Sequence, residues 1–550
     1  MTLLLLAGAL IVLACVLSNR ISYRFGIPTL LAFIILGMVF GSDGIFKVPF
    51  EDYDLAQNVC SGALVIIMFY GGFGTNWKEA RPVAGKAIVL SSLGVVLTSA
   101  LTGLFCYFVL KLPLIEGLLL GSILGSTDAA SVFSILRSRK MNLKYKTASL
   151  LEIESGSNDP FAYMLTIVFL TILQGGKTSP LEIAKLVGLQ LLVGGICGVA
   201  IGFAAAFILK RFRFVTSGFD MAYTLAVAAL SYALPAVLGG NGYLSTYLTG
   251  IILGNSRIPN KQSLAQFFDG TTGLMQMLTF FMLGWLSFPS QLPQALIIAV
   301  PVALFLTFIA RPLAVFFLML PFRCPFRQQL VISWCGLRGA ASIVFAIFAM
   351  TAELNFKFDL YHVVFAVVLL SIAFQGTLLP YLSKWLKMTD DKENVLKTFN
   401  DYADETAVQF VNISITPDHE WNRMAVRELS LPTGLLLVLV RRDGRELIPS
   451  GGTVLEEGDT AVLAAEGAGP DYVTHLSELT IDEEHEWQNK QIKELPLSPG
   501  ELIVLIRRGD KIVIPNGKTK LKEHDILVIN RSSAEPKASP VSNNRENSSS

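Results

Sequence analysis

The sequence predicts an α-helical polytopic membrane domain of about thirteen spans, with inverted repeats and crossing broken helices, followed by two small α+β cytoplasmic modules. Three observations lead to that class. Hydrophobic residues make up 52% of the 550 and charged residues 16%, so a large apolar structure is required. Apolar runs of membrane-crossing length follow one another up to about Met388 and then stop. Beyond about Ala407 the text turns to strand-like alternation and repeats itself. The formal net charge of +1 argues against a nucleic-acid partner.

A bilayer crossing needs about 20 apolar residues. Runs of that kind start near Leu3, Pro28, Ala56, Ile88, Leu114, Leu150, Ile183, Asp220, Gly242, Phe267, Leu296, Leu330 and His362, and the last ends near Leu386. Met1 to Ser18 lacks the basic start and small-residue cleavage site of a signal peptide and reads as the first span. Alternate connections are basic: Arg20 and Arg24; Lys78, Arg81 and Lys86; Arg137, Arg139, Lys140, Lys144 and Lys146; Lys210, Arg211 and Arg213; Arg257 and Lys261; Arg323 and Arg327. The connections between them hold only Lys47, Lys111, Lys177, Lys185 and Lys357. The positive-inside rule then puts the N-terminus outside and the tail in the cytoplasm, which an odd number of spans satisfies. Of the six cysteines, Cys15, Cys60, Cys106, Cys197, Cys324 and Cys335, five lie in apolar runs and none has metal-ligand spacing, so they read as core.

Ionisable groups at membrane depth are costly and mark ion or proton paths. The fifth span carries Gly121-Ser-Ile-Leu-Gly-Ser-Thr-Asp-Ala-Ala-Ser131, with Thr127 and Asp128 near its middle. The sixth carries Leu151-Glu-Ile-Glu-Ser-Gly-Ser-Asn-Asp-Pro160, and the twelfth Trp334-Cys-Gly-Leu-Arg-Gly-Ala-Ala-Ser342, with Arg338 inside it. Ser155 and Asp159 stand four apart on one helical face, as do Glu154 and Asn158, and Pro160 removes a backbone donor beside them. A carboxylate in lipid favours a bound proton or a bound cation over a bare charge, and it cannot hold both. That competition suffices for exchange. Asn158 brings no positive charge to neutralise Asp159, whereas Glu154 and Arg338 read as an interhelical carboxylate–guanidinium clamp; Glu152 is left ambiguous.

Ser126-Thr-Asp-Ala-Ala-Ser131 and Leu337-Arg-Gly-Ala-Ala-Ser342 are similar and run in opposite directions in this topology. Broken helices from inverted repeats that meet at the midplane are a recurrent transporter design, in which Asp128 and Arg338 would neutralise half-helix ends.

At these residues the chain resembles the bacterial monovalent cation:proton antiporter family, of the sodium or potassium/proton exchanger type. Ser126-Thr127-Asp128, Glu154-Ser155-Gly-Ser-Asn158-Asp159-Pro160 and Gly336-Leu-Arg338-Gly339 carry the resemblance, with Gly242 to Gly250 and Arg311-Pro312 as weaker pieces. It implies that Asp159 binds cation and proton in turn. Ser155 and the backbone around Thr127 would add oxygen ligands, Glu154 and Arg338 would form the supporting pair, and Asn158 and Asp128 would brace the crossing. An asparagine before the aspartate resembles the electroneutral class, one cation per proton. Relatives often carry an acid in the third span, where Tyr70 stands here within Phe69-Tyr-Gly-Gly-Phe73. That departure leaves ion selectivity open.

In the tail, His419-Glu-Trp…Arg427-Glu-Leu…Gly434…Arg442…Ile448-Pro449…Asp459 aligns without a gap on His485-Glu-Trp…Lys493-Glu-Leu…Gly500…Arg508…Ile514-Pro515…Asp525. Each copy suggests a helix and several strands. Each resembles the TrkA C-terminal (RCK_C) domain of potassium channels and transporters. No Gly-x-Gly-x-x-Gly accompanies them, and Gly467 and Gly469 read as linker. The repeated His-Glu-Trp reads as a turn with a half-buried Trp. The expected divisions are a membrane domain at 1–388, a linker at 389–406, RCK_C-like modules at 407–467 and 470–531, and a disordered Ser/Asn/Pro-rich end at 532–550.

The chain is thus expected to be a secondary antiporter of the bacterial cell membrane, not an enzyme. It would exchange K⁺, or Na⁺, for H⁺ in potassium, pH and volume homeostasis. No resident cofactor or metal is expected. The resemblance implies a homodimer and a cyclic dinucleotide such as cyclic di-AMP as regulator. An RCK-gated potassium channel is the alternative, but no Thr-Val-Gly-Tyr-Gly filter is present. A non-transporting sensor would leave the polar membrane residues without a purpose.

Overall fold

The computed structural model describes residues 2–25, 29–139, 141–175, 179–212, 218–352, 354–389, 408–431, 435–442, 445–466, 476–482, 485–497, 501–508, 511–513, 515, 517 and 519–531. Residues 390–406 of the expected 389–406 linker, the 532–550 end, Gly467 and Gly469 lie outside the described residues. The chain divides into two compact units, Met1–Glu405 and Thr406–Ser550.

In the first unit, the described helices group into thirteen runs, each overlapping one apolar run of the sequence. The first three spans are α1 (Thr2–Phe25), α2 (Thr29–Phe40) and α3 (Tyr53–Gly74). The fourth joins α4 (Trp77–Val89) to α5 (Val95–Phe108) through a π-helical turn at Leu90–Gly94. The fifth is broken into α6 (Leu114–Ile123) and α7 (Ala129–Ser138). The sixth to tenth are α8 (Thr147–Leu173), α9 (Pro180–Arg211), α10 (Phe219–Val237), α11 (Gly242–Asn255) and α12 (Lys261–Trp285). The eleventh joins α13 (Leu292–Phe305) to α14 (Arg311–Met319) through a π-helical turn at Leu306–Ala310. The twelfth is broken into α15 (Phe326–Trp334) and α16 (Ala340–Met350), and the last joins α17 (Leu360–Leu370) to α18 (Thr377–Trp385). Along α9, Leu192, Ile196, Val199, Phe203 and Phe207 are exposed in one stripe at helical spacing. Water would penalise such a face and lipid does not.

A shift of seven spans maps the packing onto itself. The third span packs on the ninth as the second packs on the tenth; the fourth packs on the sixth as the eleventh packs on the thirteenth. Each passage reverses the chain, so an odd shift relates spans of opposite direction, which is the inverted repeat. The π-turns of the fourth and eleventh spans, and the breaks of the fifth and twelfth, are also seven apart. Glycine permits the closest crossings. A Cβ on Gly250 would meet Phe69 O at 2.3 Å, and one on Gly72 would meet Tyr247 O at 2.3 Å, so α3 and α11 touch backbone to backbone. Gly37 and Gly284 do the same between α2 and α12.

The second unit holds two four-stranded antiparallel sheets. The first contains β1 (Val408–Ser414), β2 (Leu435–Arg442), β3 (Arg445–Leu447) and β4 (Thr460–Glu466) in the order β1-β4-β2-β3. The second contains β5 (Leu476–Thr480), β6 (Glu501–Arg508), β7 (Lys511–Val513) and β8 (Ile526–Arg531) in the order β5-β8-β6-β7. The duplication extends to the register shifts, at Leu437/Leu439 and Ile503/Leu505. Arg442 donates through Nε to the buried Asp459 at 2.8 Å, and Arg508 to Asp525 at 2.7 Å. Among the described residues the helix of each copy is a single 3₁₀ turn, Val426–Glu428 and Ile492–Glu494. The repeated His-Glu-Trp is a turn in which His419 Nδ1 accepts from Trp421 N and His485 Nδ1 from Trp487 N.

Candidate functional site

The two broken spans meet where their helices are interrupted. Residues 124–128 and 335–339 are non-helical, and Asp128 N donates to Leu337 O at 2.8 Å to join them. A Cβ on Gly339 would lie 2.5 Å from Asp128 Cβ, so only glycine lets the segments approach this closely. Each break leaves helix-end carbonyls and amides without intrahelical partners. Arg338 lies on the carbonyl ends: its Nη1 donates to Gly125 O at 3.2 Å and Ser126 O at 2.8 Å. Asp128 lies on the amide ends, accepting from Ser131 N at 3.2 Å and touching Gly339, which caps α16. A positive charge at a helix C-terminus and a negative one at N-termini both oppose the local dipoles.

α8 is fastened to this crossing by three side chains from two turns. Ser155 Oγ donates to Thr127 O at 2.8 Å and accepts from Ala129 N at 3.0 Å. Asn158 Nδ2 donates to Thr127 Oγ1, and Asp159 Oδ1 accepts from Ser126 Oγ. Asn158 is wholly buried, and its Oδ1 has no hydrogen-bond partner among the described residues. Asp159 is only partly buried and faces a cavity of about 750 Å³, together with Ser126, Thr127, Asp128, Ser155 and Glu152. Adjacent positions on α8 therefore differ: Asn158 braces from within the protein, and Asp159 meets the cavity. A carboxylate held on one oxygen by a hydroxyl can take a proton or a cation at its other oxygen, with Ser126, Thr127 and Ser155 oxygens near by.

The expected Glu154–Arg338 clamp is corrected. Glu154 Oε1 pairs with Arg311 Nη2, both side chains being buried, while Arg338 is committed to the carbonyls of Gly125 and Ser126 in the break after α6. Arg311 follows directly on the π-turn of the eleventh span. Sequence alone shows two arginines within apolar runs and does not say which one reaches Glu154. Asp269 was also missed. The apolar run that starts near Phe267 places it at a span end, but α12 starts at Lys261 and carries Asp269 two turns inside. Tyr70 Oη donates to Asp269 Oδ1 at 3.0 Å, and both residues line the cavity. The acidic residue of an apolar run, together with the tyrosine in place of an acid, was the available signal.

The family model described as "Sodium/hydrogen exchanger, transmembrane" matches residues 8–385, and the TrkA-C domain model matches 410–470 and 476–534. The chain is 35% identical over 478 residues to the K(+)/H(+) antiporter NhaP of Alkalimonas amylolytica, covering 86% of this chain and 83% of that protein. It is 32% identical over 516 residues to the K(+)/H(+) antiporter NhaP2 of Shewanella sp. (strain MR-4), covering 91% and 86%. The sodium proton antiporter MjNhaP1 from Methanocaldococcus jannaschii at pH 8 superposes with a TM-score of 0.60 at 22% identity, covering 68% of this chain and 99% of that one. That likeness speaks for the fold of the membrane unit.

Proposed function

The chain belongs to the transmembrane sodium/hydrogen exchanger family, and from that premise we propose that it trades K⁺ for H⁺, one for one, at Asp159. It is a cation/proton antiporter carrying tandem TrkA-C domains. The observation that carries the assignment of Asp159 is a contrast of partners. Buried Glu154 is paired with Arg311, whereas among the described residues no basic side chain pairs with Asp159, which faces the cavity instead. Its charge is left for a cation or a proton to neutralise. Ser155, Thr127 and Ser126 supply neutral oxygens around it, and Asn158, Asp128, Arg338 and Glu154 hold the crossing in shape. No covalent bond is made or broken, so the activity is transport and not catalysis.

K⁺ is favoured because NhaP and NhaP2, of which this chain covers more than four fifths, are named for K⁺/H⁺ exchange. Na⁺ is the second candidate. Asn158 leaves a single titrating acid at this point of α8, which supports one proton per cation. The cavity reaches Arg139, in the most basic connection of the chain, so the positive-inside rule supports a cavity open to the cytoplasm, an outside N-terminus and a cytoplasmic tail in a bacterial cell membrane. A homodimer and regulation by a cyclic dinucleotide such as cyclic di-AMP are proposed from the TrkA-C match. Calorimetry on residues 400–535 with cyclic di-AMP tests the latter, and absence of heat removes it.

The Asp159→Asn protein is expected to insert normally and to lose cation-dependent proton movement in everted vesicles. Exchange retained at parental rate would sink the assignment. Proteoliposomes loaded with K⁺ or Na⁺ in turn decide between the cations.

A further inference from the structure

One face of α12 lines the cavity. On that face stand Asp269, Thr272 and Gln276, spaced three and then four residues apart. The spacing puts all three on one side of the helix. Asp269 is exposed within the cavity and is held by Tyr70 Oη at 3.0 Å. Thr272 is buried, its Oγ1 has no hydrogen-bond partner among the described residues, and it too lines the cavity. A buried hydroxyl without a partner is costly unless something else completes its hydrogen bonding or coordination. An anionic oxygen and an unsatisfied neutral oxygen one turn apart form a set of ligands suited to a monovalent cation, not to a proton alone.

The position matters as much as the chemistry. α12 is the tenth span and α3, which carries Tyr70, is the third, so the two are related by the inverted repeat. The cavity thus receives a tyrosine from the third span and an acid from the repeat-related tenth, and Tyr70 donates its hydroxyl to that acid.

We propose that Asp269 and Thr272 form a cation-capture and selectivity site at the cavity wall facing the crossing, with Tyr70 as the residue that positions Asp269. The site rests on the reading of Asp159 as the exchange carboxylate. Asp269 raises the local concentration of cations in the cavity and gives an entering ion its first anionic contact, before Asp159. Thr272 adds a short, fixed oxygen that tells a smaller cation from a larger one.

The test is cation-dependent exchange by full-length Asp269→Asn, Tyr70→Phe and Thr272→Val proteins in proteoliposomes, with K⁺ and Na⁺ titrated separately. Asp269→Asn is expected to raise the apparent KM for cation roughly fivefold to tenfold, the size of one partly solvated charge contact, with the maximal rate retained. Tyr70→Phe should raise KM in the same direction by less, and add nothing in the Asp269→Asn background. Thr272→Val should change the ratio of the K⁺ and Na⁺ KM values. Size-exclusion profiles in detergent verify folding; Asp269 is exposed, so its substitution leaves the packing intact. An unchanged KM for both cations in Asp269→Asn overturns the proposal, as does loss of exchange at every cation concentration in the folded variant. Failure of the Asp159 reading has a separate signature, exchange persisting in Asp159→Asn.

Discussion

Asp159 and Glu154 lie within six residues of α8, yet their surroundings send them to different work. Glu154 is 1% exposed against Arg311, and removing its partner would strand a buried charge. Arg311→Met is therefore expected to destabilise the membrane unit by about 3 kcal/mol, read as a fall in melting temperature in detergent. Adding Glu154→Gln should recover much of that loss, because a neutral pair leaves no stranded charge; a double variant as unstable as the single one would refute the pairing. The face shared by Ser155 and Asp159 was legible in sequence because helical spacing is local. The partner of Glu154 was not. Arg311 stands 157 residues away, and its competitor Arg338 sits in an equally apolar run. Tyr70 could be flagged as a departure, but its hydrogen bond to Asp269 spans 199 residues and only folding brings the two together.

At the scale of elements, the crossing depends on the absence of a side chain. Gly339→Ala would drive a methyl into Asp128, and Asp128 is itself bonded to the first turn of α7. The variant is expected to insert with all spans but to lose at least tenfold in exchange rate, since the brace around Thr127 and Ser155 shifts with Asp128. Normal exchange by Gly339→Ala, measured in everted vesicles, would show that the close approach is dispensable. Similarly, Gly250→Leu places a branched side chain against Phe69 O and should separate α11 from α3, lowering thermal stability. The order of the helical runs was readable from the apolar runs, and among the described residues six helices are long and apolar enough to cross a membrane, as lipid requires. The π-turns at Leu90–Gly94 and Leu306–Ala310 were not, because no residue pattern marks them; packing between the repeats does.

For the molecule as a whole, the tail carries its stability in a repeated device. Hydrogen bonds from the Arg442 guanidinium hold the Asp459 carboxyl below the usual carboxylate range, against the opposing effect of burial. A carboxyl lowered on folding stabilises above its unfolded value, about 3.9, and that contribution disappears as pH falls through the lower folded value. The TrkA-C unit should therefore lose stability on acidification below about pH 4. Asp459→Asn should flatten that slope and cost about 2 kcal/mol near neutrality, less than a fully buried pair because Arg442 is 28% exposed. Denaturant titration of the tail at pH 3.5 and pH 7 measures both effects, and an unchanged slope in Asp459→Asn would contradict the account.

The sequence by itself determined the number of membrane runs, the tail duplication and the acid placed within the sixth span. Each is written in composition, periodicity or direct repetition, which need no knowledge of distant contacts. The tertiary structure decided which charges are neutralised and which are left available. Arg311 takes Glu154, Arg338 takes the carbonyls of the broken fifth span, and Asp159 is left facing the cavity that Asp269 also lines. Pairing among buried charges depends on which helices the inverted repeat brings side by side, and electrostatic energy in a low-dielectric interior then allows few alternatives.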